Sequence, residues 1–320
     1  MGGGLLVTIV IPNWNGKRYL RTCLDSLKKL EIGNWKLEII LVDNGSTDGS
    51  VEFLKKNYPQ VKVFRFPKNR GFSTAVNLGI KKAKGKYIAL LNNDTEVDKD
   101  WLRSLVVAAE ESNPEVMFFA SKMVNFYQRD LLDDCGDGYT WYGRAYKRGL
   151  KQKDRGRFDQ KEFIFGACAG AALYKRELFE KIGFFDEDFF AYNEDVDLSF
   201  RAQLAGFKCL YVPTAVVYHI KGGFSDNPLA FFLGTRNTLN VIVKNWPVKF
   251  IILNLHKIIY AQARIFFAGL KLGFYTAFPK GYLGFLIQLP KMLQKRRRIQ
   301  RLRKASDEYL RSTIEDRYPF

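Results

Sequence analysis

The stretch KYIALLNNDTEV, residues 86–97, carries an apolar run directly into two asparagines and an aspartate. A run of this length bounded by polar residues is typical of a buried strand. Amides and carboxylates are poor core residues, because burying them without partners is costly. We therefore expect a buried strand whose carboxyl end, at Asn92, Asn93 and Asp94, lies at a polar surface.

Three similar runs precede this strand, and helical segments separate them. The runs are LLVTIVIP, KLEIILVD and VKVFRFP. Between them, KRYLRTCLDSLKKL and GFSTAVNLGIKKAKG carry apolar residues three and four positions apart, which is the spacing of one helical face. The pattern β-α-β-α-β-α-β predicts an α/β fold with a mostly parallel, doubly wound sheet. Ligands of such sheets bind at the carboxyl ends of the strands.

Polar residues follow each of the four predicted strands. They are PNWNG at residues 12–16, DNGSTDGS at 43–50, KNRGF at 68–72 and NND at 92–94. Any one of these could be an ordinary turn or helix cap, because turns favour the same residues. Four of them at one edge of a sheet favour a shared ligand site.

The charge of the chain indicates an anionic partner. The 320 residues predict one large domain with an appendage, and the formal net charge is +18. Such a charge is typical of proteins that meet nucleic acid, a membrane surface or a phosphorylated ligand. Residues 244–320 contain sixteen Lys or Arg and four Asp or Glu, so they supply most of that charge. Four cysteines without C-x-x-C spacing fit a reduced, cytoplasmic protein.

The C-terminal region is predicted to associate with a membrane surface. We divide the chain into a domain at residues 1–240 and a basic helical region at residues 241–320. Lys257, Arg264 and Lys271 recur every seven residues in apolar surroundings, and KMLQKRRRIQRLRK follows. No uncharged run approaches the ~20 residues of a membrane span, so amphipathic helices lying in the interface are expected. A basic helical bundle with a solvated outer face and a nucleic-acid arm remain alternatives.

The middle of the chain is less regular. Periodicity weakens over residues 116–163, and DDCGDGYTWYGRAYKRGLKQKDRGRFDQ predicts a polar loop region. FIFGACAGAALYKRELFEKIG then predicts a strand rich in small residues, followed by a short helix. The small residues indicate either a ligand surface or tight packing of strand on helix.

A second group of carboxylates lies in FFAYNEDVDLSFRAQLAG. Acidic residues complement the dipole at a helix start, which accounts well for Asp197. Aromatic neighbours indicate partial burial of Glu194 and Asp195, where one pKa can be raised and a general base formed. Further on, CLYVPTAVVYHIKGG predicts a strand that ends at His219. A lone histidine is usually structural, so its meaning depends on what shares its strand end.

Together these motifs resemble the inverting glycosyltransferases of family 2, most closely the bacterial rhamnosyltransferase-like branch that builds surface polysaccharides on lipid carriers. The resemblance runs from about Val7 to Arg236 and Asn237. Its motifs, in order, are TIVIPNWNGKRYLRTCLDSL, IILVDNGSTDGS, NRGFSTAVNLGI, YIALLNNDTEV, GACAGAALYKRELFEKIGFFDEDFFAYNEDVDLSFRAQLAGFK and VVYHIKGG. It implies the GT-A fold, a nucleotide-binding α/β sheet, here with a C-terminal amphipathic helical appendage.

The resemblance also implies roles for particular residues. The D-x-D metal motif falls on residues 92–94, where Asn92 replaces the first carboxylate and Asp94 is the expected ligand of Mg²⁺ or Mn²⁺, joined by His219. Asp195 matches the catalytic base, with Glu194 beside it. The residues expected to contact the nucleotide are Pro12, Asn13, Asn15, Asp43, Asn69, Arg70, Gly71, Asn77, Asn92 and Asn93.

The resulting expectation is a metal-dependent, inverting sugar transfer from a dTDP- or UDP-linked donor to a lipid-linked saccharide acceptor. The enzyme would lie at the cytoplasmic face of the cell membrane, with an anionic membrane surface and no nucleic acid as its partners. The alternative is a catalytically silent sugar-nucleotide or glycan-binding module. A nicotinamide dehydrogenase fits poorly, because no G-x-G-x-x-G follows the first strand.

Overall fold

A computed structural model describes residues 6–220 and 227–318 of the chain. The last three residues of the predicted VVYHIKGG motif lie outside these ranges. The strands are β1 (Leu6–Asn13), β2 (Lys36–Asp43), β3 (Lys62–Arg65), β4 (Tyr87–Leu91), β5 (Thr95–Val97), β6 (Val116–Asn125), β7 (Leu132–Asp134), β8 (Asp137–Tyr139), β9 (Ala145–Lys147), β10 (Glu162–Ile164), β11 (Ala171–Lys175) and β12 (Lys208–His219). The helices are α1 (Lys17–Leu27), α2 (Ser50–Asn57), α3 (Phe72–Lys82), α4 (Trp101–Glu111), α5 (Arg176–Ile182), α6 (Glu194–Leu204), α7 (Pro228–Asn245), α8 (Val248–Leu253), α9 (Leu255–Lys271), α10 (Ala277–Arg301) and α11 (Asp307–Thr313).

The first four strands form the predicted parallel sheet. Its order is β4-β1-β2-β3, so the direction of winding reverses between β1 and β4. In the register of β1 with β2, Asn13 lies opposite Asp43, which places both at the same edge of the sheet. Helix α3 approaches β1 closely because Gly79 leaves room for Val10; a Cβ at Gly79 would lie 2.2 Å from Val10 Cγ1. The predicted α/β fold is confirmed.

The sheet continues beyond β4 with both strand directions. Strand β11 pairs antiparallel with β4 and with β6, and β12 pairs parallel with β6. Two reversals restore the original direction, so β12 ends at the same edge as β1, β2 and β4. His219 is the last residue of β12, as predicted. It therefore shares an edge with Asn13, Asp43 and Asn92.

The structure differs from the prediction in two places between residues 116 and 163: a strand lies where the periodicity weakens, and the predicted polar loop region at residues 133–160 is wrong at its start. β6 is a ten-residue strand inside the sheet, and its first nine residues are buried. Buried on both faces, it has no alternation of polar and apolar residues that would reveal a strand. The segment DDCGDGY forms β7 and β8, and its acidic residues Asp133, Asp134 and Asp137 are buried.

The C-terminal helices pack against the sheet domain and share a core with it. Trp246, Phe250 and Leu310 join a cluster that includes Tyr139 of β8 and Phe200 of α6. Helix α7 spans the predicted domain boundary at residue 240, which itself stays a prediction. In the part of the chain that the structure describes, no helix combines the length and apolar character that crossing a membrane requires.

Candidate active site

The ends of β1 and β2 meet in a network of buried polar side chains. Asn13 Nδ2 donates to Asp43 Oδ2 at 3.1 Å and to Ser46 Oγ at 3.1 Å. Asp43 Oδ1 accepts the backbone N–H of Ser46 at 3.1 Å and lies 3.5 Å from Arg65 Nε. Asn13 and Asp43 are almost fully buried, and their hydrogen bonds offset the cost of burying polar groups. The network fixes the floor of the cleft where the nucleotide base is expected.

The loop after β1 is tied to the loop after β2. The backbone N–H of Asn15 donates to Ser46 Oγ at 2.9 Å, and Thr47 N donates to Asn15 Oδ1 at 2.8 Å. Pro12 is half-buried and pairs in register with Val42. The structure thus brings the three residues predicted from the first strand end into one wall with Asp43.

The segment of Asn69, Arg70 and Gly71 is held by a residue that the sequence did not single out, Asn44. Asn44 Nδ2 donates to Asn69 Oδ1 at 2.9 Å, and Asn44 Oδ1 accepts Arg70 N at 2.9 Å. Gly71 has φ +88, and a Cβ there would lie 2.5 Å from Phe190 O. Only glycine fits both conditions. Asn44 directly follows Asp43 in the same loop, and this position could have predicted that it belongs to the site.

Asn77 lies behind this wall rather than at its surface. Its Nδ2 donates to Phe185 O at 2.8 Å and to Glu187 Oε1 at 3.1 Å, while its Oδ1 accepts Phe185 N at 3.0 Å. Asn77 is buried, so these bonds anchor the segment that leads towards Glu194. A direct contact between Asn77 and a nucleotide stays a prediction.

The asparagines of the NND motif connect the two halves of the site. Asn93 Nδ2 donates to Asn13 Oδ1 at 2.6 Å, which joins the ends of β4 and β1. The backbone N–H of Asn92 donates to Gly170 O at 2.8 Å, just before β11. The neighbouring Ala169 N donates to Asp195 Oδ2 at 3.2 Å. The segment at residues 169 and 170 therefore lies between the NND motif and the predicted base.

Asp94 is the first member of a chain of four charged or ionisable side chains. Asp94 Oδ1 lies 3.5 Å from His219 Nε2, and His219 Nδ1 lies 2.8 Å from Asp133 Oδ2. Asp133 Oδ2 also accepts from Lys147 Nζ at 3.0 Å. Burial opposes protonation of His219, but hydrogen bonds to Asp133 and Asp94 outweigh it and raise the pKa of the imidazole to about 9. Asp133 was missed because it lies in the segment that resembled a loop.

The donor set at Asp94 and His219 fits a divalent cation that is shared with a substrate. A carboxylate and an imidazole face each other there, and the second imidazole nitrogen is held by a carboxylate, which is the usual support of a metal-binding histidine. Over residues 6–220 and 227–318, no group of three or more His, Cys, Asp or Glu side chains could hold a metal alone. Mg²⁺ is commonly held by one or two protein ligands plus substrate phosphates. The residues fit that arrangement.

The predicted base lies at the first turn of α6. Asp195 is half-buried, and its Oδ1 accepts the backbone N–H of Val196 at 2.8 Å. Burial raises the pKa of Asp195 above its ordinary value despite bonds from Ala169 and Val196. Glu194 is buried, and its Oε2 has no hydrogen-bond partner in the described chain. The more accessible carboxylate, Asp195, is thus the better placed to meet a substrate hydroxyl.

Two further buried carboxylates interact electrostatically with Asp195. Asp134 is fully buried, and within the described ranges neither of its carboxylate oxygens has a hydrogen-bond partner. Burial raises the pKa of Asp134 to about 7 although Lys147 opposes the shift. Burial and the charge of Asp134 also raise the pKa of Asp137 well above its usual range. The charge of Asp195 is among the causes that raise both pKa values, so these carboxylates are electrostatically linked to the predicted base.

Comparison with known proteins decides the family of this chain. The model of glycosyl transferase family 2 matches residues 8–183, more than half of the chain. The chain belongs to glycosyl transferase family 2. The matched part contains β1 to β4 with their polar ends, whereas Asp195 and His219 follow it. This membership makes sugar transfer the activity to be tested for this chain.

Several curated relatives are named as glycosyltransferases. Glycosyltransferase GlyA of Streptococcus pneumoniae serotype 4 is 27% identical over 225 residues, which are 68% of this chain and 31% of GlyA. The chain thus spans about a third of the length of that relative. The N-acetylglucosaminyl-diphospho-decaprenol L-rhamnosyltransferase of Mycobacterium tuberculosis is 27% identical over 210 residues, covering 58% of this chain and 67% of that enzyme. The rhamnosyltransferase-like resemblance is confirmed.

A solved structure shares the fold of this chain. GalNAc-T7 with UDP, GalNAc and Mn²⁺ superposes with a TM-score of 0.60 at 21% identity, covering 75% of this chain and 48% of that chain. At this identity the likeness concerns the fold, and it confirms the predicted GT-A architecture. Helices follow the sheet domain in the C-terminal region, as predicted.

Proposed function

We propose that this glycosyltransferase transfers a sugar from a UDP- or dTDP-linked donor to a hydroxyl of a lipid-linked saccharide, with inversion and with a divalent metal. The observation that carries the proposal is that Asp94 and His219 face each other at the sheet edge where Asn13 and Asp43 also lie. Asp195 is linked to the same edge because it accepts from Ala169 N, while the adjacent Gly170 O accepts from Asn92 N. Surface polysaccharide synthesis is the process in which such an enzyme would work.

The donor would lie along the ends of β1, β2 and β4. Asp43 and Asn13 are rigid polar groups suited to the edge of a base, and the backbone around Gly71 allows a close approach. Arg70 is exposed beside that segment, and a guanidinium suits the charge of a diphosphate. Asp94 and His219 would hold Mg²⁺ or Mn²⁺ against the same diphosphate. When bound, the metal would neutralise charge on the departing phosphate.

Asp195 would serve as the general base. Its carboxylate would accept the proton of the acceptor hydroxyl while the hydroxyl oxygen forms a bond to the anomeric carbon of the donor sugar. The bond from that carbon to the diphosphate oxygen breaks, and the nucleoside diphosphate leaves on the opposite face. One in-line displacement of this kind inverts the anomeric configuration. A raised pKa suits this role, because a base of very low pKa takes up protons poorly.

A lipid-linked acceptor is supported by one relative. The mycobacterial enzyme is named as an L-rhamnosyltransferase acting on N-acetylglucosaminyl-diphospho-decaprenol, which is a sugar on a polyprenyl diphosphate. An acceptor of this kind lies at a membrane surface. The C-terminal helices of the present chain offer a surface suited to that location.

That surface, here called the apolar face, consists of exposed hydrophobic side chains on α8, α9 and α10. Of the twenty-two large hydrophobic side chains that are exposed in the described residues, fifteen lie between residues 248 and 293. Ile252, Ile259 and Ile287 are each more than 60% exposed. Apolar side chains mixed with Lys and Arg are typical of helices that lie in the interface of an anionic membrane. We infer peripheral binding to the cytoplasmic membrane surface.

The proposal is tested by turnover. Purified enzyme is incubated with UDP- and dTDP-linked sugars, with a short polyprenyl-diphosphate saccharide, and with Mn²⁺, Mg²⁺ or EDTA, while nucleoside diphosphate and glycolipid are measured. We expect transfer with one donor class, loss with EDTA, and an inverted linkage by NMR. Asp94→Ala should bind less nucleotide in the presence of Mn²⁺. Tight nucleotide binding without any transfer would instead support the silent binding module.

A further inference from the structure

The loop that leads into α6, the helix that carries Asp195, has a strained backbone. Phe190, Tyr192 and Asn193 all have positive φ, at 66°, 67° and 63°. Non-glycine residues rarely adopt this conformation, and surrounding structure must hold them there. Asn193 immediately precedes α6, and its side chain makes no capping hydrogen bond. Something other than local sequence therefore keeps this loop in place.

Two neighbouring residues of α7 hold the carbonyls of the loop. Asn237 is fully buried, and its Nδ2 lies 3.0 Å from Phe189 O, 2.8 Å from Ala191 O and 2.7 Å from Tyr192 O. Arg236 Nη2 donates to Phe189 O at 2.9 Å, and Arg236 Nε donates to Asn237 Oδ1 at 2.9 Å. The Asn237 amide thus contacts three backbone carbonyls of the strained loop, and Arg236 orients that amide.

Ion pairs hold the residues on either side of the same loop. Lys244 of α7 is almost fully buried and lies 2.6 Å from Asp186 Oδ2 and 2.8 Å from the Asp197 carboxylate. Lys291 of α10 lies 2.6 Å from Asp188 Oδ1. These lysines join residues before and after the strained positions to the C-terminal helices.

The loop touches both halves of the proposed site. Phe190 O accepts the backbone N–H of Ser73 at 3.3 Å, two residues after Gly71 of the predicted nucleotide-binding segment. At its other end, Asn193 O accepts the backbone N–H of Asp197 in the first turn of α6. Between these contacts the chain reaches Asp195. A shift of the loop would therefore move the base relative to the donor.

We infer that Asn237 is a positioning residue for the transfer reaction, acting through the loop at residues 189–193 to place Asp195. This inference rests on the proposed function, because Asp195 is its base. Arg236 and the lysines of α7 and α10 support the same loop. The C-terminal helices are accordingly part of the catalytic apparatus as well as the carriers of the apolar face.

The test uses the full-length Asn237→Asp variant, which keeps the size of the side chain and replaces its donor group by an acceptor that repels the three carbonyls. Hydrogen exchange of amides 188–197 is measured without substrate, and we expect it to rise at least about tenfold. In turnover, kcat should fall about 100-fold, as for a misplaced catalytic group, with the donor KM changed less than about threefold. The pH–rate profile is measured on Asn237→Ala, which adds no charge near Asp195. Its acid limb should move to lower pH, because a loosened loop hydrates Asp195.

Asn254→Asp is the matched control. Asn254 is a buried asparagine of the C-terminal helices, and its Nδ2 donates to Phe250 O at 2.9 Å rather than to the loop. It should lower the thermal midpoint with little change in loop exchange or in the pH profile. If Asn237→Asp does not fold, Asn237→Ala supplies the same comparison without the added charge.

The outcomes separate this inference from the proposed function. Unchanged exchange at residues 188–197 in the Asn237 variant overturns the inference whatever the activity. Loosened exchange with wild-type kcat and pH profile overturns it as well. If the wild-type enzyme transfers no sugar from any donor, the proposed function fails, while faster exchange in the variant still supports the hold of Asn237 on the loop.

Discussion

At the scale of single residues, Asp133 determines what His219 can offer. Its carboxylate occupies Nδ1 of the imidazole, so Nε2 is left facing Asp94. Lys147 in turn keeps Asp133 paired, and Asp133 is almost fully buried. A histidine held in this manner has one orientation and one nitrogen directed at the proposed metal position.

Asp133→Asn should weaken the binding of Mn²⁺ in the presence of a nucleoside diphosphate by about 10- to 100-fold, because His219 loses its orienting carboxylate. The affinity is measured by titration calorimetry or by the EPR signal of free Mn²⁺. Asp130→Asn is the control, since Asp130 is exposed and lies 3.5 Å from Lys153 Nζ. Equal Mn²⁺ affinity in the Asp133 variant and the wild type would contradict the assignment.

Asp195 gives the second prediction at this scale. Burial raises its pKa, so the active carboxylate form is present only above that raised pKa and is lost as pH falls through it. The acid limb of kcat/KM against pH should therefore lie above the ordinary aspartate value of about 3.9. Asp195→Asn should lower kcat by a factor of about 100 to 10,000, with nucleotide affinity kept. A folded Asp195→Asn enzyme with full turnover would overturn the role.

At the scale of elements, Lys244 joins α7 to the first turn of α6 and to the segment before it. It neutralises Asp186 and Asp197, while Arg201 also contacts Asp197 at 2.9 Å. Burial alone would raise the pKa of Asp186, but Lys244 and Lys295 hold it well below its ordinary value. Asp186 therefore stabilises the fold above its ordinary pKa, and this contribution is lost as pH falls through the lower folded value.

Lys244→Met should destabilise the protein by about 3 to 5 kcal/mol, because it leaves two buried carboxylates short of a partner. Chemical denaturation at pH 7 measures the change. The difference from wild type should shrink as pH falls from about 4 towards 2, since protonated carboxylates no longer need the lysine.

The exposed pair of Lys249 with Asp307, at 3.0 Å, provides the control. Lys249→Met should change the free energy of unfolding by less than about 1 kcal/mol. A similarly small effect of Lys244→Met would mean that the buried cluster contributes little to the junction of α6 and α7.

The elements that could be predicted from sequence are those with a local signal. β1, β2 and β4 each join an apolar run to polar residues, and the position of His219 at the end of β12 follows from the same pattern. β6 was not predicted, because a strand buried on both faces does not alternate polar with apolar residues.

The missed site residues depend on pairings between distant segments. Asp133 pairs with His219 across 86 positions, and Asn237 meets Tyr192 O across 45. Contacts between residues so far apart in the sequence produce no periodic pattern from which they could be predicted. The DDCGDG segment has the composition of a turn, and only the tertiary structure buries its carboxylates. Asn237 lies inside a helix whose apolar spacing reveals nothing about a neighbouring loop.

At the scale of the whole molecule, the C-terminal helices have two sides with different roles. The inner side contributes Phe250, Ile299 and Leu310 to the core shared with α6 and β8. The outer side carries the apolar face. Removing residues from Val248 onwards would expose that core, so single substitutions on the outer side are the cleaner test of membrane binding.

Ile259→Glu combined with Ile287→Glu should weaken binding to vesicles containing anionic lipid by about tenfold or more. Each isoleucine is more than 60% exposed, and burying such a side chain gains about 1.5 to 3 kcal/mol. Vesicle sedimentation measures the binding, which should also fall as salt rises. Phe163→Glu, at an exposed position on β10, is the matched control. Undiminished sedimentation of the double variant would count against the apolar face.

The contacts of α7 and α10 with the loop before Asp195 affect when the proposed site can form during protein synthesis. Lys295 pairs with Asp186, which leaves the ribosome 109 residues earlier. Domains generally fold as units, and N-terminal ones fold first while the chain is still being made. The nucleotide wall can therefore form on a nascent chain whose base is not yet fixed. Sugar transfer would switch on only after α10 has emerged, the same element that carries part of the apolar face, so that catalysis and arrival at the lipid surface mature together.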